Sequence, residues 1–73
     1  MNTKKALELL NEKQRKTIDI YKRNLSAVKD DTEYDKSRRS ELYATISGYL
    51  IALVDIGTLT QAQARLIYTY ATL

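Results

Sequence analysis

The chain has 73 residues, a net charge of +3, and neither cysteine nor histidine. This composition excludes disulfides and Cys/His metal sites, and it leaves no cysteine nucleophile and no histidine, the most frequent general acid or base in catalysis. The length allows one domain, residues 1–73, which buries only about 60% of its unfolded surface. Stability must therefore come from good helix packing or from association with another subunit.

Charge is concentrated in the first half of the chain. Residues 1–29 carry eight basic and three acidic residues, whereas residues 42–73 carry Asp55 and Arg65 alone. The longest apolar stretch, residues 49–54, is far shorter than the roughly 20 residues of a membrane-spanning helix. No apolar segment follows the basic start as in a signal peptide, and cysteine is absent, so we expect a cytoplasmic protein with no membrane partner.

The first predicted helix covers residues 3–29. One narrow stripe recurs in steps of three and four, as in a coiled coil, and consists of Leu7, Leu10, Gln14, Ile18, Tyr21, Leu25 and Val28. Gln14, in the middle of the stripe, would fix the register of a dimer. Such a helix spans roughly 40 Å, so we expect Leu7 and Leu10 at its far end to remain exposed and to contact a partner.

The second predicted helix covers residues 32–55 and begins at a cap formed by Thr32 and Asp35. Two adjacent apolar faces predict that it packs on two neighbours. Leu42, Ile46, Tyr49, Leu53 and Ile56 form one face, and Tyr43, Leu50 and Val54 form the other. Near its start, an exposed Tyr34 beside Arg38 and Arg39 suits a protein interface.

A turn at Gly57 is predicted to end the second helix in the left-handed conformation. Thr60 and Gln63 then form a capping box that opens a third helix over residues 60–72. Its inward residues are Leu66, Ile67, Tyr70 and Leu73, whereas Tyr68 is expected to be exposed. The predicted fold is therefore all-α with three helices, a long N-terminal amphipathic helix followed by a helical hairpin.

Two patterns could serve nucleic-acid binding. Arg15, Lys22 and Lys29 recur every seven residues on one flank of the first helix and could contact phosphates. Interleaved acidic residues favour the alternative, which is either a solubilising flank or a set of positions that steer dimer pairing. The turn at Gly57 could also be a helix-turn-helix that offers Gln61, Gln63 and Arg65 to DNA. Its surroundings are nearly neutral, so an ordinary helical hairpin is the favoured interpretation.

Carboxylates are the remaining candidates for chemistry. Eight of the nine lie on predicted solvated helix faces or in the linker. The ninth, Asp55, lies near a helix C-terminus, where the helix dipole disfavours an acid, and we interpret it as facing solvent or bonding a turn donor. Asp31, Glu33 and Asp35 alternate like the start of a calcium loop, but the required glycine and closing glutamate never coincide. The sequence therefore predicts no catalytic residue, no cofactor and no metal site.

The segment Gly48-Tyr-Leu-x-Ala-Leu-x-Asp-x-Gly-x-Leu-Thr, followed by Arg65-x-x-Tyr68-x-Tyr70, carries a resemblance. It is similar to the C-terminal half of small uncharacterised proteins from mobile elements and prophages of Gram-positive bacteria. The resemblance covers residues 45–73. It implies an accessory, regulatory or anti-defence role and carries no catalytic residues.

These patterns predict a small, non-enzymatic cytoplasmic protein that acts by binding another protein and that forms a homodimer. The alternative is a small nucleic-acid-binding transcriptional regulator. The expected partner or dimer contacts are Leu7, Leu10, Gln14, Tyr34, Arg38 and Arg39. The expected nucleic-acid contacts under the alternative are Arg15, Lys22 and Lys29.

Overall fold

The computed structural model describes residues 1–73 throughout and contains four α-helices and no strand. The helices are α1 (Thr3–Glu8), α2 (Glu12–Ala27), α3 (Glu33–Asp55) and α4 (Gln61–Thr72). The all-α class is confirmed. The predicted count of three helices is wrong, because the expected first helix is divided into α1 and α2.

The division between α1 and α2 is made by Asn11. Its backbone is extended, and its side chain accepts a hydrogen bond of 2.8 Å from the Gln14 N–H. The Gln14 side chain accepts in return from the Asn11 N–H at 3.0 Å, which completes a capping box. Such a cap is worth about 1 kcal/mol, and the break lets α1 turn back onto α4. The recurrence of the stripe in steps of three and four continues across Asn11, so the stripe alone does not reveal the break.

The hairpin of α3 and α4 agrees with the local signals in the sequence. Gly57 has φ of +83°, and the N–H of Thr58 donates to the Leu53 carbonyl at 3.0 Å, which is the bond of a Schellman motif. Thr60 and Gln63 form the predicted capping box at the start of α4. The predicted Gly57 turn and the predicted boundaries of both helices are therefore confirmed to within a residue.

The core draws on all four helical regions. Its eleven buried residues are Ala6, Leu10, Ile18, Leu25, Leu42, Ile46, Leu50, Leu53, Leu59, Ile67 and Ala71. The helix α4 contacts α1, α2 and α3, and α3 contacts α2 and α4. The prediction that α3 packs on two neighbours is thus confirmed, but α4 is the helix with the most neighbours. Between α2 and α3, the rings of Tyr21 and Tyr49 meet edge to face at 5.7 Å.

Two residues expected to point inward are exposed. Ile56 is 71% exposed because it caps α3 at the outside of the corner, and Leu73 is 87% exposed because it follows the last turn of α4. Tyr68 departs in the other direction, since it is half-buried and packs against the core. None of the four helices combines the length and the apolar character needed to cross a membrane.

Candidate interaction surfaces

The N-terminal residues predicted to contact a partner lie mostly within the fold. Leu10 is buried in the core and Leu7 packs against it, so the expectation that both are exposed is wrong. The reason is the break before Asn11, which folds α1 onto α4 instead of extending it into solvent. The side-chain oxygen of Gln14 accepts the capping-box hydrogen bond from the Asn11 N–H. This side chain is therefore not free to pair across a dimer interface. The basis for assigning these three residues to an interface is therefore removed.

The segment at the start of α3 is divided between surface and fold. Tyr34 is 75% exposed and Arg38 is exposed, as expected, and both line a shallow groove beside Lys29. Arg39 is turned inward instead. It donates to the Val28 carbonyl at 3.3 Å and its Nε lies 4.0 Å from a carboxylate oxygen of Asp30. Arg39 therefore holds the loop after α2 and is no free interface residue, whereas the interface role of Tyr34 and Arg38 stays a prediction.

The basic flank of the predicted first helix is not continuous. Arg15 is exposed on α2, and Lys29 lies beyond the last residue of that helix. Lys22 is half-buried and donates to the carbonyl of Tyr70 on α4 at 2.6 Å. Because one of the three cations is occupied within the fold, the proposed phosphate contacts reduce to two separated residues.

Tyr70 joins α4 to α2 through a second contact. Its hydroxyl donates a hydrogen bond of 3.1 Å to a carboxylate oxygen of Asp19. Burial raises the pKa of the Tyr70 phenol above its ordinary value, and the hydrogen bond to Asp19 and the carboxylate's charge raise it further. The hydrogen bond holds α4 against α2, which is a structural role.

The possible DNA-reading end of α4 is also partly occupied. Gln63 accepts from the Thr60 N–H at 2.8 Å as part of the capping box, so its amide is turned towards its own backbone. Gln61 and Arg65 remain exposed. Of the three side chains expected to face DNA in a helix-turn-helix, two are available.

The groove with the most hydrophobic lining residues lies between α3 and α4. It has a volume of about 420 Å³ and is lined by Ser47, Leu50, Ile51, Val54, Asp55, Gln61, Ala64, Arg65 and Tyr68. Leu50 forms its buried floor, Val54 and Tyr68 are half-buried in its walls, and Ile51 at the rim is 58% exposed. We call this feature the hairpin groove.

The hairpin groove also brings together the two charges of residues 42–73. Asp55 stands on the α3 side and Arg65 on the α4 side, and both are exposed. Neither belongs to any of the three ion pairs in the structure, which are Glu12 with Lys16, Glu33 with Lys36 and Asp30 with Arg39. The predicted interpretation of Asp55 as a solvent-facing residue is confirmed, but the position of Arg65 beside the same groove was not foreseen.

Sequence reasoning missed the hairpin groove although a signal for it was present. Residues 49–54 are apolar on nearly every side of the helix. A helix that packs on two neighbours needs only two apolar faces, so a third apolar side is left without a partner in the fold. Ile51 belongs to neither of the two faces assigned to α3. An apolar residue left over after the core faces are assigned is the pattern that identifies such a surface.

No polar or charged residue is buried, and no three acidic side chains lie close enough together to hold a metal ion. Comparison with known proteins returns no match to a family model, to a curated protein or to a solved structure. The similarity of residues 45–73 to mobile-element proteins accordingly stays a prediction.

Proposed function

We propose that the chain is a non-enzymatic protein that acts by binding another protein through the hairpin groove. The observation that carries this proposal is Ile51, an isoleucine that is 58% exposed at the rim of an apolar groove. Covering a large aliphatic side chain yields about 1.5–3 kcal/mol when its burial is complete. An apolar centre with polar residues at its edge is the composition of a protein-binding surface.

The small core supports the same proposal. Only 11 of 73 residues are buried, although 44% of the chain is hydrophobic. A domain of this size has little stability to spare, so apolar residues kept at the surface carry a cost that binding would offset. We propose that the protein performs this activity in the cytoplasm, as an accessory protein of a mobile element.

The charge distribution favours a protein partner over a nucleic acid. The walls of the hairpin groove carry one acid and one base, which gives no net attraction for phosphates. The cations of α2 are interrupted at Lys22, whose ammonium is bonded within the fold. A nucleic-acid-binding regulator remains the alternative hypothesis, and no contact in the structure favours it.

Site-specific photocrosslinking in the source cell tests the proposal. A photoreactive amino acid replaces Ile51 in the groove, and in a matched control it replaces Thr45, which is exposed on α3 outside the groove. We expect a discrete protein adduct from position 51 and none from position 45, with mass spectrometry to identify it. Absence of any protein adduct at position 51, or equal adducts at both positions, contradicts the proposal.

A further inference from the structure

Asp55 occupies a position that the fold of a single chain does not explain. It lies in the last turn of α3, where the partial negative charge of the helix terminus disfavours a carboxylate. It is exposed and has no ion-pair partner within its own chain. It is also the single acidic residue of residues 42–73, so it does not belong to a charged helix face of the kind that keeps a protein solvated.

Arg65 is the single basic residue of the same region and stands on the opposite side of the hairpin groove. The short turn at Gly57 joins the two helices, so the last turn of α3 and the first turns of α4 lie at the same end of the groove. Asp55 and Arg65 are therefore opposite charges on opposite walls near the same end. Such an arrangement is complementary to itself.

From this arrangement we infer that the hairpin groove is occupied by a second copy of this chain. A two-fold axis running along the groove places α3 of one copy against α4 of the other. It brings Asp55 of each copy to Arg65 of the other, so the same pair forms twice. This inference rests on the proposed function, because it names the partner at the same groove.

The apolar centre of this dimer is formed by Ile51, Val54 and Tyr68 from each copy. A standard protein interface covers about 800 Å² on each partner, roughly a sixth of the 5050 Å² that one chain exposes. An interface of this size extends beyond the groove onto the neighbouring exposed residues of α3 and α4. Tyrosine and aliphatic residues inside a polar rim match the composition of such interfaces, and the two charge pairs set their register.

Charge reversal and mixing test this inference. The variants D55R and R65D each place like charges together twice in a homodimer, and both positions are exposed, so folding should be unaffected and can be checked by circular dichroism. In a one-to-one mixture, the first variant supplies two arginines and the second two aspartates, so both opposite-charge pairs are restored. Glu41→Arg is the matched control, since Glu41 is exposed on α3 outside the groove.

Sedimentation velocity over a series from about 1 µM to about 500 µM measures the dissociation constant, which we expect at tens of micromolar for the wild type. At the upper end of this series, we expect the wild type and E41R to sediment at twice the 8.4 kDa chain mass. Each groove variant alone should dissociate about tenfold more readily, and the mixture should regain the wild-type behaviour. A monomeric wild type, unaffected groove variants, or a mixture that stays monomeric overturns the inference.

The outcome separates this inference from the proposed function. A monomeric wild type together with a crosslink from position 51 to a different protein overturns the second copy and keeps protein binding at the groove. Absence of every protein adduct at position 51 overturns both. A crosslink between two copies of the chain, with rescue in the mixture, supports both.

Discussion

The ammonium of Lys22 donates a hydrogen bond of 2.6 Å to the backbone carbonyl of Tyr70 and lies 4.5 Å from the centroid of the Tyr70 ring. The last carbonyls of α4 have no partner within the helix, and a cation from α2 satisfies one of them. The Tyr70 hydroxyl bonds back to Asp19 on α2. These contacts fasten α4, the helix with the most neighbours, to α2.

Replacing Lys22 with methionine tests this fastening. Methionine keeps the length of the side chain but removes the charge-assisted hydrogen bond and the cation–π contact. We expect the free energy of unfolding to fall by about 1–2 kcal/mol, as measured by urea denaturation. The matched control is Lys16→Met, which removes only an exposed pair with Glu12 and should cost less than about 0.5 kcal/mol. Equal losses would show that the contact of Lys22 with α4 adds nothing.

We expect the folded protein to lose stability at alkaline pH as the Tyr70 phenol ionises. Its pKa is raised from 10.0 in the folded chain, by burial first and by Asp19 second. The folded state therefore holds this proton more tightly than the unfolded state, so the stability it contributes is complete below about pH 10 and is lost as the pH rises through the folded-state pKa. The stability difference between wild type and Tyr70→Phe should shrink above pH 10.

Tyr34→Phe provides the control for this alkaline measurement, because Tyr34 is 75% exposed. Urea midpoints between pH 8 and pH 11 supply the data. A wild-type advantage over Tyr70→Phe that stays constant or grows with pH contradicts the assigned hydrogen bond.

The two glycines should respond to alanine with opposite signs. Gly57 has φ of +83°, and no atom lies within 4 Å of where a Cβ would stand, so the cost of Gly57→Ala comes from backbone strain alone and should be about 1–2 kcal/mol. Gly48 lies in the middle of α3 with equally open space, and Gly48→Ala should stabilise by about 0.5–1 kcal/mol. Thermal melting of both variants is sufficient. Two changes of the same sign would contradict the left-handed cap at Gly57.

Adjacent leucines at the end of α1 should differ sharply. Leu10 is 3% exposed within the core, so Leu10→Ala should lower the free energy of unfolding by about 2–3 kcal/mol. Leu9 is 44% exposed, and Leu9→Ala should change it by less than about 0.5 kcal/mol. Similar effects in urea denaturation would indicate the continuous first helix that the apolar stripe alone suggested.

The hairpin was predictable because its signals are local. Gly57 in the left-handed region and the box formed by Thr60 and Gln63 depend on residues within one turn of each other, and each is legible in a sequence. The break at Asn11 had a local signal too, since asparagine three residues before glutamine is a helix start. The apolar pattern hides it, because the steps of four from Leu10 to Gln14 and from Gln14 to Ile18 continue across the break.

The candidate site was less predictable than the fold. Which side of an apolar helix remains uncovered depends on where its neighbours lie, and Ile51 is 58% exposed because α2 and α4 pack on other sides of α3. The relation between Asp55 and Arg65 likewise depends on how the turn at Gly57 places α4 beside α3. The sequence shows that Asp55 and Arg65 are the only charged residues of residues 42–73, but it does not show that they line the same groove.

An NMR dilution series maps the binding surface most directly. Backbone amide spectra of the wild-type chain are recorded from about 1 mM to about 10 µM, a range over which a dimer with a dissociation constant of tens of micromolar dissociates. We expect concentration-dependent shifts at Ile51, Asp55, Arg65 and Tyr68, and none at Lys16 on the exposed side of α2. Spectra that do not change with concentration, or shifts confined to surfaces away from the hairpin groove, would contradict a second copy seated between α3 and α4.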